Sequence, residues 1–252
     1  YPSDLFSNAR NTQNINRKEN IMRKQKRIWE IEHKKPEFLP TLEYLEPSSG
    51  VKKFVYFLKK NKIKPPKKVV DIGCGKGRNA IYLAELGYSV YGLDYIPYAI
   101  DYTRKTAIKN NLSSKVHLYI QNLDKKWKFD DDFFDSAVDC FSSIDIETKS
   151  GRERYRDELF RTLKPGGYAL VMVVSTNDEI EKEFLKSSPG KEKNSTIWPG
   201  TGKFQKDYDE KELREFYKEF NVVDLRERKK KAFKLGQKFI ATNYWLVLQK
   251  PN

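Results

Sequence analysis

A chain of 252 residues, 38% hydrophobic and 33% charged, can bury one substantial core beneath an unusually charged surface, and no apolar run in it reaches the length of a membrane span. Its two cysteines (Cys74, Cys140) and two histidines (His33, His117) are too scattered for a zinc site or a disulfide framework, which leaves a cytoplasmic protein without a structural metal as the expectation. The net charge of +14 is carried by the flanks, with +8 over residues 1–66, +2 over 67–176 and +4 over 177–252; lacking an arginine-rich or aromatic-interleaved cluster, these flanks read first as solvated surface and second as an attraction for an acidic partner such as RNA.

Residues 1–13, rich in Asn, Ser and Arg without periodicity, predict an extended start. From Asn14 to Lys35 the apolar Ile15, Ile21, Ile28, Trp29 and Ile31 recur at roughly helical spacing, predicting an amphipathic helix with a narrow sticky stripe. Pro36, Pro40 and Pro47 then break the chain, and Ser48 or Ser49 offers an N-cap for a helix running toward Lys60. Pro65 and Pro66 mark a boundary, so that residues 1–64 form an N-terminal helical extension and 65–252 the main domain.

Beyond that boundary strand and helix alternate. The pattern predicts strands at Lys68–Ile72, Ser89–Leu93, Val116–Ile120, Phe134–Phe141 and Tyr168–Val174, with helices at Arg78–Leu86, Tyr98–Asn110 and Arg152–Leu163 between them. Gly87 is placed to cap the first of these helices, and Pro165-Gly166-Gly167 to stop the last. Such units imply an α/β, doubly wound, mostly parallel sheet with its ligand at the carboxyl ends of the strands. A polar insertion of about 176–208 follows, and a helix at Glu210–Phe220 and strands near Val222–Arg226 and Ile240–Gln249 close the chain.

The chemistry concentrates in Val69-Val70-Asp71-Ile72-Gly73-Cys74-Gly75-Lys76-Gly77-Arg78-Asn79, where an acidic residue near a strand end leads through three alternating glycines into a helix. Glycines serve where backbone turns tightly and approaches a ligand with no Cβ in the way. The spacing Asp-x-Gly-x-Gly-x-Gly differs from the Gly-x-Gly-x-x-Gly of pyrophosphate sites, favouring a ligand without a pyrophosphate. Asp94 ends the second strand, where a carboxylate accepts hydrogen bonds from both hydroxyls of a ribose.

With Gly-Tyr-Ser-Val-Tyr-Gly-Leu-Asp and Leu-Lys-Pro-Gly-Gly-Tyr added to the glycine string, the sequence resembles the class I methyltransferase family over roughly Lys67 to Val174. The resemblance implies a Rossmann-like sheet of seven strands with an antiparallel last strand, and S-adenosylmethionine as methyl donor with S-adenosylhomocysteine as product. It implies that Asp71, Gly73, Cys74, Gly75, Gly77 and Asn79 surround the methionine moiety, that Asp94 holds the ribose, and that Tyr95 or Ile96 packs on the adenine. Asn122, beside Leu123, stands where the family often has an Asp facing the adenine amino group, and an amide oxygen still accepts that bond. Asp139, Cys140 and Phe141 fall where the family lines the methyl-donor channel.

Displacement at a sulfonium needs alignment and exclusion of water more than a dedicated triad, so no catalytic residue is assigned; Asp145 and Tyr155 are base candidates by location only. The Asp139-Cys140-Phe141-Ser142-Ser143 string lacks the motifs of base-amino and cytosine-C5 methylation, and Gly-Arg-Asn-Ala-Ile-Tyr-Leu-Ala looks like the small-molecule enzymes of the tellurite-resistance and thiol-methylating type. Trp29 and Trp198 mark two segments expected to bind the acceptor and close as a lid. Methylation of RNA or protein through the basic flanks, or donor binding without catalysis, are the alternatives.

Overall fold

The alternating pattern becomes a doubly wound α/β fold in a computed structural model that describes residues 25–36, 39–234 and 236–252. The extended start and the helical stripe residues Ile15 and Ile21 lie outside the described residues; the helix α1 is described over residues 25–34. After it come α2 (Ser49–Lys60), β1 (Lys68–Ile72), α3 (Arg78–Glu85), β2 (Ser89–Asp94), α4 (Pro97–Lys109), β3 (Val116–Ile120), β4 (Phe134–Cys140), α5 (Lys149–Thr162) and β5 (Leu163–Val174). The chain continues through α6 (Glu179–Ser187), β6 (Ser195–Ile197), β7 (Phe204–Lys206), α7 (Glu210–Phe216), β8 (Asn221–Lys234) and β9 (Gln237–Gln249).

The main sheet has seven strands in the order β3-β2-β1-β4-β5-β9-β8. The first five are parallel, β9 runs antiparallel to β5, and β8 pairs antiparallel to β9. Helices cover both faces, which is why β1 and β4 are buried almost throughout, their polar Asp71, Asp135, Ser136 and Asp139 included. One face packs Val70, Ile72, Phe134 and Leu246 against Trp127, Tyr155 and Leu159. The other packs Val69, Val90, Val138 and Leu170 against α2 and α3. In α2, Val51, Phe54, Val55 and Leu58 recur at i, i+3, i+4 and i+7, one buried stripe that builds this helix into the core; Ser48 caps it by accepting from Gly50 N–H.

Strand order reverses between β1 and β4, which opens a crevice at their carboxyl ends. The ends of β1, β2 and β4 therefore deliver Ile72, Asp94 and Cys140 to one place.

Four regions differ from the sequence reading. The terminal ribbon is far longer than expected, with 14 residues in β8 and 13 in β9, because its outer half carries lysines where alternation would otherwise mark a strand. The insertion contains α6 and the β6–β7 ribbon, both too short for a periodic signal. α7 stops at Phe216, and β5 begins directly after α5, before the Pro165-Gly166-Gly167 turn, its register against β4 shifting there. Among the described residues no helix is long and apolar enough to cross a membrane.

Candidate functional site

The turn after β1 is shaped by glycines in the left-handed region. Gly73 has φ +64°, and a Cβ there would stand 2.0 Å from Ser142 Oγ; Gly77 has φ +82°, and its Cβ would stand 2.4 Å from Thr103 Cγ2. Cys74 N–H donates to Leu93 O at 2.9 Å, tying the turn to β2, and α3 starts beyond Gly77 with no side-chain cap on its free N–H groups.

Asp94, 6% exposed, closes the turn from the other side. Its Oδ2 accepts from Gly75 N–H and its Oδ1 from Ile96 N–H, each at 2.9 Å. Burial pushes its carboxyl up to about 6, against the pull of the Ile96, Gly75 and Tyr95 N–H groups, so it is ionised near neutrality with one further lone pair on each oxygen. Asp71, wholly buried behind the turn, is pushed up to about 7 by burial, with Arg78 opposing.

A cavity of about 590 Å³ opens above these groups. Of the residues singled out in the sequence, Gly73, Gly75, Asp94, Tyr95, Asn122, Leu123, Cys140 and Phe141 line it, as do Trp29 and Trp198. Asp71, Cys74, Gly77, Asn79, Ile96 and Asp139 do not. They hold the wall from behind. Asp139 accepts from Ser142 N–H (2.8 Å), Ser143 N–H (3.2 Å) and Tyr155 Oη–H (2.7 Å), fixing the turn that places Phe141 at φ +70°. Cys74 packs its thiol under β2 at Gly92, and Ile96 is fully buried. Asn79 Oδ1 accepts from Ser48 N–H at 2.9 Å and so joins α3 to the start of α2. Asn79→Ala is accordingly expected to lower stability by about 1–2 kcal/mol while donor affinity changes little, which chemical denaturation beside calorimetry will check.

The two base candidates part company. Tyr155 lies in the core against Asp139, away from the cavity, whereas Asp145 lines it and pairs with Lys203 at 3.1 Å. Lys203, 4% exposed, lies between two indoles, its ammonium 3.9 Å from the ring centre of Trp198 and 4.7 Å from that of Trp29. Cys140 faces Met172 sulfur at 3.8 Å, and burial pushes its thiol up, which disfavours a thiolate.

Sequence reasoning missed His33, one turn beyond Trp29 on the same helix face, whose Cε1 would be 3.2 Å from a Cβ on Gly75. Burial, then Lys76, hold its imidazole down to about 4, so it is neutral at physiological pH, and its Nδ1 is buried without a partner. The i, i+4 spacing from Trp29 was the available signal. Gln25 was missed too. It donates to Phe204 O and accepts from Phe204 N–H, both at 3.0 Å, pinning α1 to β7.

This geometry, a glycine turn and an acidic strand end at the switch point of a doubly wound sheet, coincides with residues 69–167, which match the family model described as a methyltransferase domain. Over those residues the chain is similar to S-adenosylmethionine-dependent methyltransferases. Among the curated relatives of this chain is the probable S-adenosyl-L-methionine-dependent methyltransferase TehB of Haemophilus influenzae, 29% identical over 173 residues, covering 66% of this chain and 50% of that protein. The 2-heptyl-1-hydroxyquinolin-4(1H)-one methyltransferase of Mycobacteroides abscessus is 32% identical over 108 residues, 42% of this chain and 45% of its own length. The chain thus spans about half the length of these curated relatives. Among solved structures, a SAM-dependent methyltransferase from Methanosarcina mazei superposes with a TM-score of 0.67 at 26% identity, over 77% of this chain and 97% of that chain.

Proposed function

We propose that this protein is a methyltransferase that moves a methyl group from S-adenosylmethionine to a small-molecule acceptor held in the same cavity. The observation that carries the reading is the pair of Asp94 oxygens, each held by a backbone N–H beside a turn that admits no side chain at Gly73. The residues fit the donor. Asp94 would hold the ribose hydroxyls, Tyr95 and Leu123 would flank the adenine with Asn122 at its edge, and Gly73 and Gly75 would leave room for the methionine moiety. S-adenosylmethionine supplies a methyl carbon on a positively charged sulfur, so that an acceptor lone pair forms the new bond as the carbon–sulfur bond breaks with its pair left on sulfur. The chain's own residues then need to align the partners and exclude water.

The cavity volume falls within the range of about 300–1,000 Å³ usual for small-molecule sites, and its roof of Trp29 and Trp198 suits a metabolite better than an RNA strand, which needs an open basic groove. TehB, by its name a methyltransferase, and the hydroxyquinolone enzyme lend weight to a small acceptor. Residues 1–64 divide by role in this reading. α2 belongs to the core, while α1 and the 176–208 insertion form a lid joined through Gln25 and Phe204. The unpaired thiols of Cys74 and Cys140 accord with a reducing, cytoplasmic setting.

Calorimetry with S-adenosylmethionine and S-adenosylhomocysteine tests the donor site, and absence of heat with both removes the proposal. Deleting residues 1–35 strips Gln25, Trp29 and His33 from the cavity wall and is expected to cut turnover at least about tenfold while the core still folds. Wild-type turnover in that variant would show that α1 is no lid.

A further inference from the structure

The cavity extends past the donor residues toward the β8–β9 ribbon at the far edge of the sheet, where β5 ends at Val174 and Lys230, Ala232, Phe233, Phe239 and Ala241 line the wall. In the ribbon Lys230 stands opposite Ala241, and Ala232 opposite Phe239, so these four share one side of it. Trp29 and Trp198 line the same cavity. Phe233, one position beyond Ala232, turns its ring to the other side of the ribbon and is 53% exposed, and Lys230 is exposed as well.

The charged groups of this half are engaged. Asp178 accepts from Ile180 N–H (3.1 Å), Glu181 N–H (3.3 Å) and Thr242 N–H (2.8 Å), and Asp145 is paired with Lys203. Asp94 is held by backbone on both oxygens. Asp124 and Glu147 line the cavity near Asn122 and Tyr95, on the nucleoside side. Lys26 and Arg78 bring positive charge from α1 and α3, and His33 sits over Gly75 with an imidazole too weakly basic to remove a hydroxyl proton near neutrality. Burial pushes the Tyr95 hydroxyl and the Cys140 thiol up, so neither serves as a base.

Resting on the methyltransferase reading, we infer that the acceptor is a flat aromatic hydroxyl compound that enters as its own oxyanion and docks between the Trp29–Trp198 roof and the Phe239 face of the ribbon. The aromatic walls supply stacking area and the rim Lys230 draws the anion in. A ring-conjugated hydroxyl loses its proton to water before entry, which removes the need for a protein base. Its oxygen pair then forms the bond to the methyl carbon, and the donor's sulfur keeps the old bonding pair and becomes a neutral thioether. A compact inorganic oxyanion, by contrast, requires convergent donors that these apolar walls do not offer.

The test uses the full chain with S-adenosylmethionine and, as probes, phenol, 2-naphthol, 4-nitrophenol, 2-mercaptoethanol and tellurite. Methyl transfer to the aromatic hydroxyls is expected, with a kcat/KM–pH profile that breaks at each probe's own ionisation and moves along the series. Phe239→Ala is expected to raise KM for 2-naphthol about tenfold with donor Kd unchanged, and Phe233→Ala, on the other side of the ribbon, to change it by less than about twofold. Transfer only to the thiol or tellurite, no transfer to any aromatic probe, or a pH break that stays put across the series overturns the inference while leaving the methyltransferase reading intact. Absence of heat with either S-adenosylmethionine or S-adenosylhomocysteine removes both.

Discussion

Asp94→Ala is expected to weaken S-adenosylmethionine and S-adenosylhomocysteine binding by roughly a hundredfold or more, because a hydrogen bond to a charged group contributes about 1.5–3 kcal/mol and the carboxylate stands ready to accept two from a ribose. The loss has a second source within the protein, since the same oxygens hold Gly75 N–H and Ile96 N–H and so set the shape of the turn. Asp94→Asn keeps the side-chain size and one acceptor oxygen but sets an amide NH2 against one of the two backbone N–H groups, and is expected to retain more affinity than Asp94→Ala while losing part of it. Calorimetry at several pH values adds a check on charge. With the wild-type carboxyl pushed up to about 6 by burial, donor affinity should be level above pH 7 and fall as pH drops through 6. Folding runs the other way at this group. A carboxyl raised above its ordinary value of 3.8 costs stability as it ionises, so Asp94→Asn is expected to gain stability relative to the wild type as pH rises from about 4 to about 6. Affinity in Asp94→Ala within threefold of the wild type would refute the ribose assignment.

Gly73→Ala is expected to lower stability by about 3 kcal/mol and to abolish measurable donor binding. The left-handed backbone costs a Cβ about 1–2 kcal/mol on its own. The new methyl would also stand 2.4 Å from Ser142 Cβ, and Ser142 cannot simply swing aside because its N–H is held by Asp139 at 2.8 Å. The strain must then spread into the turn after β4, which carries Phe141 onto the cavity wall. A drop of about 6–12 °C in Tm is the corresponding readout for a chain of this size. Gly75→Ala makes a useful contrast, since its Cβ would meet His33 at 3.2 Å, a contact that a side-chain adjustment relieves.

The parallel sheet was legible because each of its strands is short, apolar and bounded by glycine, proline or a charged helix; β1 and β3 matched to the residue, and β2 and β4 differed by one at their ends. The donor residues were legible through spacing, but spacing does not say which way a side chain points. Asp71, Asn79 and Asp139 carry polar groups in the right part of the chain and turn them into the protein, where burial demands partners for them. The acceptor half was largely illegible. Phe239 sits near Lys229, Lys230, Lys231 and Lys238, whose charges mask any alternation, and only pairing across the ribbon puts it beside Ala232 on the cavity wall. His33 shows the same limit at longer range, since α1 reaches Gly75 through tertiary packing that no local pattern encodes.

Gln25 grasps the main chain of Phe204 by both its donor and its acceptor, a grip that depends on neither the identity of residue 204 nor its ring. The clasp is therefore indifferent to what fills the chamber below, so that the side chains of the insertion are free to diverge toward new acceptors while the hinge between roof and floor keeps one geometry. In such an arrangement Gln25→Ala should loosen closure for every acceptor alike, whereas changes at the ribbon discriminate among them.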